Sequence, residues 1–485
     1  MTAETTLPSS GKSTLTKLSI MMFLQFFAWG SWFVTLALAL GSNDLGAIIG
    51  GAFESAPIAA IFAPLFLGLI ADRFFPSEKV MGVLMVIGSG LMAYIAYIAP
   101  QGATAGPTII TLMIAYMCCY MPTLGLANTI TFTHLPQEQF PKARVWGTIG
   151  WIVAGLFLGF SQLSSSLQIF WIAAAASLAL GIYSFFLPST PAPAKDQPLN
   201  LRSLLMLDAF KLCKNPAFAV FAVCSTLICI PLAYYYAKTA DFLKATGYTE
   251  PASFMSIGQM SEIFFMLLIP FFFRKLGVKL MLLIGMGCWV ARYALFAYGA
   301  PDQIAWMLFA GVALHGICYD FFFVTGFIYT DKTAPKAIRG QAQALLVFLT
   351  QGLGMFFGFR FAFGGNFPFT DAKLPNTITQ GESIYGNPPS GDLILAIKDA
   401  NTGAPDKGSL EQLGGMFGKG YPEGIDQEIV TKNMTEWQDF WYFPMILAAA
   451  IFVIFAILFW DKVKTDDVDL EEATKAASPD SESAV

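Results

Sequence analysis

The sequence predicts an all-α membrane protein of twelve transmembrane helices, and three observations support this prediction. Of the 485 residues, 55% are hydrophobic and only 13% are charged, with a mean hydropathy of +0.59, whereas soluble domains have about 25% charged residues. Apolar runs long enough to cross a bilayer as helices recur along most of the chain. The alternating segments of about ten residues that indicate a transmembrane barrel are absent.

The spans follow one another in a regular order. The first apolar run, 15–40, is longer than the core of about 7–15 residues in a signal peptide, so we expect an uncleaved first span. The further runs lie near 46–70, 79–99, 107–134, 144–163, 167–187, 217–243, 252–273, 277–298, 302–330, 337–363 and 437–460.

A Pro/Ala-rich and then charged stretch, 188–216, divides these spans into six plus six. We expect an N-terminal six-helix bundle over 1–187, a cytoplasmic linker over 188–216 and a C-terminal six-helix bundle over 217–460. The second bundle would carry a long outer loop, 364–436, and an acidic cytoplasmic tail would follow over 461–485. Two such halves are typical of secondary transporters with a substrate site between them. Two unrelated bundles in one chain are the alternative.

Basic residues in the short loops predict the orientation. Sixteen Lys and Arg lie in the loops of one side, and only Lys244 lies in those of the other. Because cytoplasmic loops carry the excess of Lys and Arg, we expect both termini in the cytoplasm.

Composition excludes several classes of function. The net charge is −5, with the acidic excess in the tail, so we expect no nucleic-acid binding. The two histidines and the absence of C-x-x-C and H-E-x-x-H argue against a metal site, and no Walker motif indicates an ATP-driven pump. An intramembrane enzyme would need a nucleophile with a base or a metal site, and a sensor would leave the two-half layout unexplained.

Several stretches of the sequence carry a family resemblance. The loop after the second span contains Gly68-Leu-Ile-Ala-Asp72-Arg73, which resembles the G-x-x-x-D-R motif of the major facilitator superfamily. Longer stretches resemble the nucleoside:H+ symporter family of the bacterial major facilitators: Phe23 to Trp32, Tyr120 to Asn128, Arg144 to Gly150, Ser261-Glu262 and Tyr319 to Phe322. The resemblance covers about 15–360 and 437–460 but not the long outer segment.

The resemblance implies the major facilitator fold and a proton-coupled symporter that imports nucleosides by alternating access. It implies a bacterial cytoplasmic (inner) membrane protein whose partners are a nucleoside, protons and membrane lipid, with no cofactor. We expect a monomer. A major facilitator for another polar solute, such as a sugar or a nucleobase, is the alternative.

Ionisable side chains inside the spans are expensive to insert and are therefore candidates for function. Lys238 and Asp241 are three residues apart and can pair or snorkel. Arg292 and Arg360 lie near span ends, where snorkelling is the cheaper interpretation. Glu54 could pair across the outer vestibule or serve proton coupling.

Arg144, Thr148 and Trp151 stand at i, i+4 and i+7 in the fifth span, which places a cation, a hydroxyl and an indole on one helical face. This face suits a polar ligand with a flat ring. A cytoplasmic anchor is the alternative role of Arg144, and the resemblance favours the substrate site.

Polar residues of the second half complete the predicted site. Gln259 and Glu262 share a face of the eighth span, and the resemblance implies that these positions contact the nucleoside. His315 and Tyr319 share a face of the tenth span, and Asp320 follows them. We predict that all five bind substrate, with an interhelical hydrogen-bond network as the alternative.

The seventh span contains Pro231, which permits a kink, followed by three tyrosines that include Tyr236, a further predicted substrate contact. The better-known relatives carry amides in this stretch and Tyr at position 315, which leaves the exact substrate open. Glu262 and Asp320 are the natural proton carriers, with Glu54 as the third candidate. A second group of polar and aromatic residues could line the site or only pack the bundle: Gln25, Trp29, Tyr120, Pro122 and Asn128.

Overall fold

The computed structural model describes residues 9–66, 74–136, 139–192, 202, 205–335, 338–363, 389, 391–402 and 408–460. These residues are almost entirely helical and form no strand, apart from one antiparallel bridge between Tyr248 and Lys419. The motif at 68–73, the residues 193–201 of the expected linker and the tail 461–485 lie outside the described residues.

Seventeen α-helices form the described part of the chain. They are α1 (Ser9–Phe33), α2 (Leu36–Gly41), α3 (Ile49–Phe66), α4 (Ser77–Ile98), α5 (Gly106–His134), α6 (Phe140–Phe160), α7 (Ile169–Ser184), α8 (Pro216–Ala245), α9 (Pro251–Gly299), α10 (Ala305–Ala313), α11 (His315–Tyr319), α12 (Thr325–Thr333), α13 (Arg339–Val347), α14 (Met355–Phe363), α15 (Asp392–Asn401), α16 (Ser409–Gly415) and α17 (Gln427–Leu458).

In the described part of the chain, each of the twelve apolar runs overlaps with helical structure. Eight helical stretches of the described residues are long and apolar enough to cross a membrane, and the stretch Ser77–His134 alone contains two of the predicted spans. The 49 residues of α9 contain two more. Gly277 separates them, because its φ of 68° lies in the left-handed region that glycine adopts without steric cost.

Local sequence explains several helix ends. The Asn215 side chain accepts a hydrogen bond from the backbone N–H of Ala217 at 3.0 Å and so caps α8. Asp426 caps α17 in the same way through the N–H of Glu428 at 2.9 Å. Pro216 and Pro251 stand in the first turns of α8 and α9, where their missing N–H costs nothing.

Two π-helical turns interrupt the later helices. Asp320–Val324 joins α11 to α12, and Phe348–Gly354 joins α13 to α14. Single π turns occur frequently at functional sites because they rotate side chains relative to a regular helix.

Small and aromatic residues join helices from the two halves of the sequence. Gly155 and Gly159 of α6 pack so closely on α9 that a Cβ at either position would collide with Ser256 or Ser253, and small residues permit this approach of helices in membranes. At the α3–α14 contact, the ring of Phe53 lies 5.0 Å from that of Phe359, measured between centroids.

Charged side chains within the spans are paired or buried rather than extended to solvent. Lys238 Nζ lies 3.1 Å from Asp241 Oδ2 within α8, as their spacing predicts. The expectation that Arg292 and Arg360 snorkel is wrong. Arg360 forms an ion pair with Glu54 of α3, and Arg292 is fully buried. Both arginines face neighbouring helices, where these contacts replace water.

Candidate functional site

A cavity of about 210 Å³ lies between helices from the two halves of the sequence. Helices α1, α3, α5 and α6 supply one part of its wall, and α8, α9, α11, α13 and α14 supply much of the rest. Its polar and amphipathic lining residues are Trp29, Asn128, Arg144, Thr148, Trp151, Tyr236, Gln259, Glu262, His315, Tyr319 and Gln351.

The α6 wall presents the predicted face of Arg144, Thr148 and Trp151. Arg144 and Thr148 are 8% and 6% exposed, and the guanidinium Nη1 lies 3.5 Å from the Thr148 hydroxyl oxygen. The Arg144 Cζ also lies 4.2 Å from the ring centre of Phe26 on α1. This cation–π contact steers a long, buried side chain along the cavity wall.

Aromatic rings from three helices meet beside this face. The ring centroids of Trp29 and Trp151 are 5.5 Å apart at an interplanar angle of 70°. Phe33 lies 6.4 Å from Trp151 and 5.7 Å from Tyr236, so the rings connect α1 to α6 and α8. The two indole N–H groups are buried without a hydrogen-bond partner among the described residues. They are free to donate to a ligand.

The opposite wall is formed where α9 crosses α11. A Cβ at Gly258 would stand 3.0 Å from the Cβ of His315, so glycine permits this close crossing. Ser261 Oγ fixes it by donating to the Ala313 carbonyl at 2.5 Å and accepting from the Gly316 N–H at 3.2 Å. Glu262 of α9 and His315 of α11 both line the cavity near this crossing.

Eight of the nine predicted substrate residues line this one cavity. The ninth, Asp320, does not: it is fully buried in the π-helical turn, and both of its carboxylate oxygens lack a hydrogen-bond partner among the described residues. The prediction of a direct substrate contact at Asp320 therefore disagrees with the geometry, because the residue after Tyr319 points away from the face that Tyr319 presents. Glu54 also lies outside the lining and pairs with Arg360.

Gln351 is a further polar lining residue, which the sequence analysis does not predict. An amide in the middle of an apolar run beside Gly352 was the available signal. Of the second group, Trp29 and Asn128 line the cavity, whereas Gln25 and Tyr120 support the wall from behind: Gln25 Nε2 donates to Thr123 Oγ1 at 2.7 Å, and the Tyr120 hydroxyl donates to the Gln25 carbonyl at 2.6 Å.

The polar groups of the cavity suit a polar solute. Within the described residues, no group of three or more His, Cys, Asp or Glu side chains is arranged to hold a metal ion. The cavity instead combines a guanidinium, a carboxylate, three amides, hydroxyls and flat rings. Such a wall can hold a polar, partly planar solute by hydrogen bonds and stacking.

A comparison with known families decides the classification. A family model described as "Nucleoside H+ symporter" matches residues 12–367. The chain belongs to this nucleoside H+ symporter family. It is therefore a membrane transporter and not an enzyme.

Individual relatives agree with the family. The chain is 42% identical over 360 residues to the putative nucleoside transporter YegT of Escherichia coli (strain K12). This match covers 72% of the chain and 83% of YegT. It is 33% identical over 363 residues to the xanthosine permease of the same organism, covering 70% of this chain and 85% of the permease.

Solved structures extend the match to the fold. The crystal structure of the nucleoside transporter NupG has a TM-score of 0.66 and 27% identity, and the match covers 93% of this chain and all of NupG. A bacterial homologue of the lysosomal transporter Spinster, at 14% identity and a TM-score of 0.59, shares the fold alone. The symporter family member described here thus has the major facilitator fold.

Proposed function

We propose that this protein imports nucleosides together with protons across the bacterial cytoplasmic membrane by alternating access. The supporting observation is the composition of the cavity, in which a cation, a carboxylate and amides stand beside several aromatic rings. A nucleoside needs this combination because its base is flat and its sugar carries hydroxyl groups. The family of the chain and the names of its relatives, a putative nucleoside transporter and a xanthosine permease, point to the same class of solute.

Residues of both cavity walls would contact the nucleoside. Trp29, Trp151 and Tyr236 offer faces and edges on which a base can pack. Arg144 from one wall and Gln259 from the other supply donors, and Gln259 also supplies an acceptor, so a solute that contacts both would hold the halves together.

Glu262 is the favoured proton carrier. It lies on the cavity wall, whereas the other buried carboxylates lie outside the lining. A proton bound to Glu262 would change its hydrogen bonding from acceptor alone to donor and acceptor, which would couple protonation to substrate binding. Asp320 is the second candidate, because its unpartnered carboxylate is costly to keep charged in a buried place.

The excess of Lys and Arg in alternate loops supports two six-helix halves with both termini in the cytoplasm. With that orientation, Ala63, Asn128 and Arg144 line the cavity toward the cytoplasmic ends of their helices. The Glu54–Arg360 pair and the Gly155 and Gly159 contacts lie toward the outer ends. With this orientation, we propose that the structure represents an inward-facing state. A cysteine placed at Ser10 in a cysteine-free background should resist impermeant thiol reagents added outside, and labelling there would contradict this topology.

Transport into proteoliposomes tests the function directly. We expect radiolabelled uridine and adenosine to accumulate only with an inward proton gradient and to be displaced by unlabelled nucleosides. Excess sugars and free nucleobases are the controls. If a sugar or a nucleobase competes for uptake and unlabelled nucleosides do not, the cavity binds that other polar solute. If a proton gradient drives the uptake of no nucleoside, sugar or nucleobase, the protein is not a symporter for these solutes.

A further inference from the structure

A buried cation lies directly behind the substrate cavity. Arg292 of α9 is fully buried and is not part of the cavity lining. Its Nε donates to the Gly311 carbonyl at 3.0 Å, while its two terminal nitrogens have no hydrogen-bond partner among the described residues. A buried guanidinium with so few hydrogen bonds is expensive, and neither the proposed binding of substrate nor the transfer of protons uses it.

Tyr235 connects this cation to the cavity. The Arg292 Cζ lies 4.1 Å from the centre of the Tyr235 ring, and the same ring stacks with that of His315 at 5.2 Å between centroids and an angle of 15°. Tyr235 does not line the cavity, but His315 does. Two aromatic contacts therefore lead from a permanent charge outside the site to a side chain of the site.

Neighbouring aromatic rings restrict the orientation of the His315 imidazole. Tyr236 and Tyr319 confine it, with centroid separations of 6.2 and 5.9 Å. Its Nδ1 is buried without a hydrogen-bond partner among the described residues. The titratable and charged groups around His315 and Arg292 include Cys318, Tyr319 and Asp320 that follow His315, Tyr235 and Tyr236 of α8, Glu262, Cys288 and Tyr293 of α9, and Arg144 of the facing α6.

We propose that Arg292 is a positioning residue of the substrate site, which acts through Tyr235 to hold His315 in one orientation and in its uncharged form. Burial already disfavours a charge on the imidazole. A proton there would also place a second positive charge close to the guanidinium, which Coulomb repulsion opposes. The uncharged ring keeps one donor and one acceptor nitrogen, whereas an imidazolium has two donors only.

This assignment sharpens the proposed function and rests on it for the nature of the ligand. A ring with one donor and one acceptor can pair with a solute edge that also has both, as nucleobases do. The site would then recognise the base through a group that does not change with the proton gradient, while a carboxylate carries the proton. Recognition and coupling would use separate side chains.

The composition of the chain allows a direct test. Only two histidines occur, His134 and His315, so selective 15N-histidine labelling gives two imidazole signals in NMR spectra, and His134→Asn assigns them. Spectra are recorded between about pH 5 and pH 8, where an ordinary histidine titrates. Wild type is compared with Arg292→Met, which removes the charge, and with Arg292→Lys, which keeps it. His134 serves as the internal reference for a folded protein.

We expect the His315 ring to stay uncharged across this range in wild type and in Arg292→Lys, and to titrate in Arg292→Met. Tyr235→Leu, which removes the connecting ring but leaves Arg292, is the second variant if Arg292→Met does not fold; it should broaden the His315 signals, because the ring is no longer held in one orientation. A His315 that titrates equally in wild type and Arg292→Met, or in neither, would overturn the proposal. The experiment needs no substrate, so it stands apart from any failure of the nucleoside assignment.

Binding measurements test the consequence for substrate. In Arg292→Met the uridine affinity should fall by at least about fivefold at the acid end of the range relative to the neutral end, as expected for the loss of one hydrogen bond. In the wild type, the uridine affinity should not fall in this way at acid pH. The double variant Arg292→Met/His315→Asn should also show no fall at acid pH, because no imidazole remains to be protonated. The same acid sensitivity in the double variant would overturn the role of His315.

Discussion

Two of the regions in which the protein buries carboxylates compensate the charge differently. In the region between α3 and α14, Glu54 of α3 pairs with Arg360 of α14, and the two side chains are 2% and 8% exposed. In the central region, Glu262 faces the cavity, and Asp320 lies behind it with both oxygens unpartnered among the described residues. One region neutralises its charge by a partner from a distant part of the sequence, and the other leaves it open to a proton or a ligand.

The difference separates two tasks. The Arg360 guanidinium offsets part of the cost of burying the Glu54 charge and joins α14 to α3. Glu262 and Asp320 lie at or behind the cavity instead, where a proton or a ligand can compensate for the burial of their charge. We infer that the Glu54–Arg360 pair holds α3 and α14 together, while the central carboxylates change state during transport.

The strongest effect is expected at the Glu54–Arg360 pair. Arg360→Ala should destabilise the protein by about 3–5 kcal/mol, because it leaves the Glu54 carboxylate buried without its cation. Thermal unfolding in detergent measures the change. Glu54→Gln/Arg360→Met, which removes both charges, should recover most of the stability. If the single variant is as stable as wild type, the pair does not hold these helices together.

The next effect is a loss of proton coupling rather than of stability, and we expect it in the central region. Glu262→Gln should lose accumulation driven by a proton gradient yet retain exchange of labelled for unlabelled nucleoside, because the amide imitates the protonated carboxyl group. Glu54→Gln/Arg360→Met, which removes a buried carboxylate together with its cation, is the matched control and should still accumulate substrate. Uptake is measured in proteoliposomes as a function of external pH. Unchanged accumulation in Glu262→Gln would move the carrier to Asp320, which Asp320→Asn tests in the same assay.

Substrate contacts should have smaller effects. Arg144→Ala and Gln259→Ala should each weaken nucleoside binding by about 1–3 kcal/mol, the cost of leaving a buried polar partner unpaired. Calorimetric titration of the purified variants gives the affinities, and size-exclusion profiles confirm that they remain folded. Normal affinity in both variants would place the binding site elsewhere.

Helical periodicity explains why most of the central region could be predicted from the sequence. Residues spaced by three, four or seven positions share a face wherever the helix is regular, so Arg144, Thr148 and Trp151 were predicted together, and so were Gln259 and Glu262. The same spacing placed His315 with Tyr319. The identity of the spans followed from apolar length alone.

Contacts between distant helices were not predictable in this way. Glu54 and Arg360 are 306 residues apart, and nothing local to either residue indicates the other. Arg292 was interpreted as a snorkelling side chain because its position near a span end is visible in the sequence, whereas the aromatic ring that covers it comes from another helix. Asp320 was placed in the cavity because adjacency to Tyr319 was counted as proximity to the ligand.

The smallest expected effect concerns two glutamines that follow one another closely in the eleventh predicted span. Gln351 lines the cavity, whereas Gln343 lies outside the lining and donates through Nε2 to the Phe327 carbonyl at 3.0 Å. Gln351→Leu should weaken nucleoside binding by about 1 kcal/mol, roughly fivefold, with little change in thermal stability, because it removes one hydrogen bond to the ligand. Gln343→Leu should lower thermal stability and leave the nucleoside affinity unchanged, because it breaks a contact between α12 and α13 and leaves the cavity wall intact. Affinity and unfolding temperature are measured on both variants. If Gln343→Leu weakens binding as much as Gln351→Leu does, the effect comes through the packing of the span, and Gln351 makes no contact of its own with the substrate.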